Sequence, residues 1–243
     1  MLMTITARLA LNYKGLPYKT EWVEYPDLKG RFMELGIPAS TSILASTRGS
    51  EKERCSCVLP DDPSVNPNAD YSSPAIYNPK DGKYTMDSLA IAQELEKLQP
   101  QPSLHLSSPL IDKTQGAIGT VMKSLAPVAM PKIPSMLPSR SAEYFHETRA
   151  KRFGMPLPEL AKSEKAGESA WEGAKPGFEE LVRLLHEKEG PLVEGKDPGF
   201  ADFVLAGYWR FMERLGLDGR VVGFDVAFKK HRDACARWLE RED

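Results

Sequence analysis

The chain has 243 residues, 41% of them hydrophobic, with 32 Lys and Arg against 34 Asp and Glu. That length allows a sizeable core in one large or two small domains, and near-neutral, interspersed charge leaves no electrostatic case for nucleic acid. No apolar run approaches bilayer-spanning length, and the first residues lack a charged leader with a cleavage site, so a soluble cytoplasmic protein with no membrane partner is expected.

Thr4 to Tyr13 carries Ile5, Leu9 and Ala10 on one side and reads as a helix, stopped by Gly15. From Tyr18 to Glu24, Tyr18, Thr20 and Trp22 alternate with Lys19 and Glu21, which predicts a half-buried strand. An α/β unit should have a strand before its first helix, and the chain begins too late to contain one. Asp27 to Leu35 predicts a second helix with Phe32 and Leu35 inward. Between Pro38 and Ser72 the residues turn to Ser, Thr, Asn, Asp and Pro, the composition of a long loop or insertion. Cys55 and Cys57 lie there, too close for an easy disulfide and without a second pair at zinc spacing; Cys235 stands alone in a helical pattern.

The densest signal is Ser73 to Glu96, SPAIYNPKDGKYTMDSLAIAQELE. Ala75-Ile76-Tyr77 and Lys83-Tyr84-Thr85 flank turn residues ending in Gly82, which predicts a hairpin. Asp87-Ser88 then forms a cap, and Leu89, Ala92, Leu95 and Leu98 follow at helical spacing. A helix starting straight after a strand presents free N–H groups and a positive dipole end, which is a potential anion site, although capping alone also accounts for the pair.

Gln99 to Ser103, with two prolines, reads as a linker between residues 1–99 and 100–243. Beyond it the pattern is helical throughout. Leu110, Ala117, Val121 and Leu125 form one stripe, expected to break at Pro127; Ser141 to Phe153 ends at Gly154; Glu168 to Ala174 and Phe178 to Glu189 are expected as separate helices. Asp202 to Leu215 and Val226 to Glu240 complete the set. The predicted architecture is an α/β N-terminal unit joined to an all-helical second domain. His105, His146, His186 and His231 do not cluster, and His231 together with Trp22, Trp171, Trp209 and Trp238 is expected to pack in the core.

This combination resembles the glutathione transferase superfamily, which pairs a thioredoxin-like domain with an all-α domain. Pro74 matches the family's cis-proline, and Asp87-Ser88 matches its acidic-plus-serine pair. RLALNYKGLPYKTEWVEYPDL, SPAIYNPKDGKY and PSRSAEYFHETRAKRFG are similar to the fungal branch related to β-etherases. PGFADFVLAGYW resembles the buried helix signature, with Gly199 where the family has a capping hydroxyl and Asp202 in place.

The resemblance implies a fold, a ligand and a site. Ser73 and Pro74 would pair with the cysteinyl part of glutathione, Ser88 would bind the γ-glutamyl carboxylate, and Asp87 would assist the ammonium group. Activating the thiol needs a further group, and the family's serine aligns at or before Met1; Thr4 and Thr6 are the nearest hydroxyls, Thr4 being the better placed. The first strand is missing as well. The chain could be a truncated product, the 38–72 segment could supply a replacement strand through ILAS or CSCVL, or the fold could serve another purpose. The resemblance further implies conjugation of glutathione as co-substrate to, or cleavage by glutathione of, a hydrophobic or aromatic electrophile, in a pocket lined by Met122, Tyr144, Phe145 and Tyr208. A homodimer is also implied. The alternative is a non-catalytic ligand- or partner-binding protein that has lost its thiolate-activating residue.

Overall fold

The computed structural model describes residues 2–39 and 70–240. Most of the expected 38–72 insertion, including Cys55, Cys57 and the two candidate replacement strands, lies outside the described residues. Helices α1 (Leu2–Tyr13) and α2 (Leu28–Glu34) precede the strands β1 (Ala75–Asn78) and β2 (Lys83–Met86) and helix α3 (Ser88–Leu98). Helices α4 (Leu110–Ala129), α5 (Ser139–Phe153), α6 (Leu157–Leu160), α7 (Glu168–Leu185), α8 (Phe200–Arg214), α9 (Asp218–Val222) and α10 (Val226–Leu239) follow. No described helix is long and apolar enough to cross a membrane.

Packing divides the chain into two units, one of Met1–Thr20, Ser73–Ile118 and Gly177–Asp243, the other of Glu21–Ser72 and Gly119–Pro176. In the first, α1 buries Leu2, Ile5, Leu9 and Ala10 and ends where expected, at Gly15 with φ 64°. The hairpin pairs Ala75 with Met86 and Asn78 with Lys83, and Gly82 N–H closes the turn on Asn78 O at 2.9 Å. Helix α8 is buried on every side from Phe200 to Trp209, so the expected single apolar face is a full circumference, as befits a central helix. Gly207 is the reason α1 can lie so near it: a Cβ there would stand 2.9 Å from Thr6 Oγ1.

Gly199 at the start of α8 has an equally steric explanation. Its N–H donates to Asp202 Oδ2 at 2.9 Å, so half of the reciprocal cap survives without a hydroxyl. A Cβ at this position would stand 2.7 Å from Glu194 Cγ and 3.2 Å from His105 Cβ. Gly199→Ser, which cap preference alone would favour by a few tenths of a kcal/mol, is therefore expected to destabilise by about 1–3 kcal/mol through overpacking. Urea titration of the two proteins reads the sign directly, and a more stable serine variant would refute the steric account.

The second unit anchors α5 through a side chain distant in sequence. Glu24 Oε2 accepts Ser141 N–H at 3.1 Å and Ser141 Oγ–H at 3.0 Å, placing a carboxylate at the helix N-terminus where the dipole favours it. Tyr25 N–H donates to Ser141 Oγ at 3.1 Å, and Arg140 grips Asp27 with two bonds of 2.8 and 2.9 Å. Asp27 is held below the usual carboxylate range by that guanidinium.

Several expectations need correction. Tyr18 to Glu24 is not a strand: the sheet among the described residues is β1 and β2 alone, and alternation produces a strand only where another backbone offers hydrogen bonds. Trp22, expected in the core, is 70% exposed. Pro127 does not stop α4, which continues to Ala129, and Pro176 does not divide α7. A mid-helix proline costs about 3 kcal/mol, which burial of Ala174, Phe178, Leu181 and Leu184 along α7 offsets.

Candidate functional site

Three local structures in the first unit bring the expected ligand-binding residues together. The Ser73–Pro74 peptide is cis. Pro74 O accepts Asp87 N–H at 3.3 Å, which ties the entry of β1 to the cap of α3. Asp87 is forced to φ 84° and ψ 132°, a conformation that costs a non-glycine residue of order 1–3 kcal/mol and that clusters at functional sites. Its Oδ1 takes the N–H groups of Leu89 at 2.9 Å and Ala90 at 3.2 Å, holding the strained turn in place.

The first turn of α1 completes the group. Thr4 Oγ1 lies 3.1 Å from Ser73 Oγ, and either hydroxyl can donate. Thr6 is fully buried and bonds back to Leu2 O at 3.3 Å, so Thr4 is the α1 hydroxyl that faces the cis-proline segment. Ser88 is only 4% exposed, and its hydroxyl donates to Met3 Sδ at 3.3 Å. Sequence reasoning missed Met3. A partner 85 residues away leaves no local trace, and a methionine beside Thr4 reads as ordinary helix core.

The residues expected to hold the second substrate fall in two places. Met122 and Phe145 are buried and Tyr144 is half-buried in the second unit, where the Tyr25 ring stacks on Tyr144 at 6.3 Å and tilts against Phe145 at 6.2 Å. The Arg149 guanidinium lies 4.9 Å from the Phe145 ring centre. Tyr208 belongs to the first unit and has no exposed surface; its hydroxyl has no hydrogen-bond partner among the described residues, and burial pushes its pKa well above the ordinary value. Two small surface concavities, one beside Arg8 and Arg214 and one beside His186 and Lys230, include none of these residues.

With two helix starts, a cis-proline and three hydroxyls gathered in this way, comparison with known proteins is direct. Residues 3–98 match the model of the glutathione S-transferase N-terminal domain, and residues 114–241 match that of the C-terminal domain. A glutathione S-transferase-like protein, ustS, of Aspergillus flavus is 30% identical over 251 residues, spanning 96% of this chain and 82% of that protein. The glutathione S-transferase CsGST63524 of Ceriporiopsis subvermispora, solved in complex with glutathione, superposes with a TM-score of 0.76 at 26% identity, covering 98% of this chain and 91% of that one. Glutathione transferase GSTFuA3 of Phanerochaete chrysosporium does so with a TM-score of 0.75 at 26% identity, covering 98% and 90%. The chain belongs to the glutathione S-transferase family.

Proposed function

We propose that this protein binds glutathione at Ser73, Pro74, Asp87 and Ser88 and, with Thr4 favouring the thiolate, conjugates it through sulfur to a hydrophobic or aromatic electrophile. The observation that carries this reading is the Thr4–Ser73 hydroxyl pair, 3.1 Å apart, in the first turn of a helix and beside a cis-proline. The relative from Ceriporiopsis subvermispora, crystallised with glutathione, supports the choice of ligand.

The chemistry follows from acidity. A free cysteine thiol has a pKa of about 8.5, so most of it is protonated at neutral pH and nucleophilic attack needs a group that favours the thiolate. With Ser73 donating to Thr4 Oγ1, the Thr4 proton is free to donate to sulfur, and the positive end of the α1 dipole acts in the same direction. The thiol proton passes to solvent, the thiolate forms a bond to the electrophilic carbon, and the leaving group departs with its electron pair.

Turnover of a panel of aryl halides and α-aryl ethers with glutathione tests the proposal. Thr4→Ala is expected to lower kcat/KM by about 100-fold, the loss typical of one transition-state donor, while leaving the glutathione Kd nearly unchanged. Thr4→Ser should restore most of the activity. Absence of both glutathione binding and turnover in the wild-type protein would overturn the reading.

A further inference from the structure

The start of α3 is already occupied by the protein's own atoms. Asp87 Oδ1 takes the Leu89 and Ala90 N–H groups, and the Ser88 hydroxyl is spent on the Met3 thioether. This second bond is a poor one for a hydroxyl that has been withdrawn from water, because a thioether sulfur is a weak acceptor. We infer that Met3 is a plug over the γ-glutamyl subsite, a self-inhibitory contact that lowers affinity for the tripeptide and must swing aside before Ser88 can hold the ligand's α-carboxylate. The inference rests on the glutathione reading above and adds to it a residue that tunes binding.

Met3 has the properties the role requires. It is half-buried in the first turn of α1, next to Thr4, so its movement is confined to the helix end and leaves the buried Ile5 and Leu9 face of α1 in place. Its unbranched side chain has three rotatable bonds and repositions at low cost. Exchanging its sulfur for a carboxylate oxygen gives Ser88 a charge-assisted bond in place of a weak one. Ligand binding therefore drives the exchange, and the plugged state lowers apparent affinity by the fraction of molecules in which the subsite is closed.

Calorimetric titration of the full chain with glutathione and with cysteinylglycine, which lacks the γ-glutamyl arm, tests this. Met3→Ala is expected to tighten glutathione binding by about tenfold, as when some nine-tenths of the wild-type molecules are plugged, and to leave cysteinylglycine binding unchanged. Met3→Leu, which keeps the bulk but lacks the sulfur, should stay within about threefold of the wild type because the side chain still fills the subsite. An equal gain for both ligands, or none for glutathione, overturns the plug while the glutathione reading stands. Failure of both the wild type and a folded Met3→Ala variant to bind glutathione removes the reading and the plug together.

Discussion

Replacing Lys14 with methionine is expected to cost the protein about 3 kcal/mol, the low end of the range for removing one partner of a buried ion pair because Glu96 keeps some contact with water. Lys14 is the last residue before the glycine that ends α1, and its side chain has no exposed surface. Its Nζ donates to Glu96 Oε2 at 2.6 Å, Gln99 O at 2.6 Å and Pro102 O at 2.8 Å, and Glu96 also accepts Leu104 N–H at 3.1 Å and Ser103 Oγ–H at 3.0 Å. One ammonium group thus joins the ends of α1 and α3 to the proline-rich connector. Methionine would leave two carbonyls short of a donor and a carboxylate, 27% exposed, that water reaches only in part. A fall in melting temperature on the order of 10 °C should result. Lys151→Met, which breaks only the exposed pair with Glu147, is the control and should leave stability nearly unchanged; equal shifts for the two variants would show that burial does not matter at Lys14.

Acid should narrow the gap between wild type and the Lys14 variant. Burial raises the Glu96 pKa, but hydrogen bonds from Lys14, Leu104 and Ser103 outweigh it and hold the carboxyl below its ordinary value of 4.5. A carboxyl depressed in the folded state contributes stability that is fully present above its unfolded pKa and is lost as pH falls through the folded one. The difference in denaturant midpoint is therefore constant near neutrality and shrinks below pH 4.5.

What could be read in advance was whatever short-range chemistry dictates. Gly15 and Gly154 stop their helices, Gly82 closes the hairpin, and Asp87 caps α3 because each acts on backbone within a few residues of itself. Long-range partnership was not readable in this way. The alternation at Tyr18 to Glu24 named a face but could not supply the neighbouring strand that makes a sheet. Pro127 and Pro176 carry a helix-breaking signal that packing overrides. Lys14 gives no local sign of its role, since its partners lie 82 to 88 residues further on. The site divides along the same line: Pro74 and Asp87-Ser88 are local motifs, whereas the meeting of Thr4 with Ser73 spans 69 residues and that of Met3 with Ser88 spans 85.

Asp202→Ala is expected to be the most damaging single change away from the site, with a loss above about 4 kcal/mol, because several buried groups lose their partner together and each costs about 1–3 kcal/mol. Asp202 is fully buried at the start of α8. One oxygen accepts Val193 N–H at 2.6 Å and lies 3.1 Å from His231 Nε2; the other accepts Gly199 N–H at 2.9 Å and Glu194 N–H at 3.4 Å. His231 carries the network onward, since Trp209 Nε1–H donates to its Nδ1 at 3.0 Å. Burial opposes a charged imidazole, while neighbouring Cys235 and Asp202 favour one. The indole decides between them. An indole N–H can only donate, so a second proton on Nδ1 would face it head-on, and the ring keeps one proton, on Nε2, directed at Asp202. The carboxylate is thus the common acceptor for a loop, a helix start and the imidazole of α10. Asp202→Asn retains the shape but turns an amide N–H₂ toward two or more donors, so it should lose less than alanine and still most of what the cap contributes. Guanidinium titration of the three proteins, with His231 ring nitrogen shifts as a second readout, separates the outcomes: an alanine variant within 1 kcal/mol of wild type, or an imidazole doubly protonated at neutral pH, would contradict this account of the core.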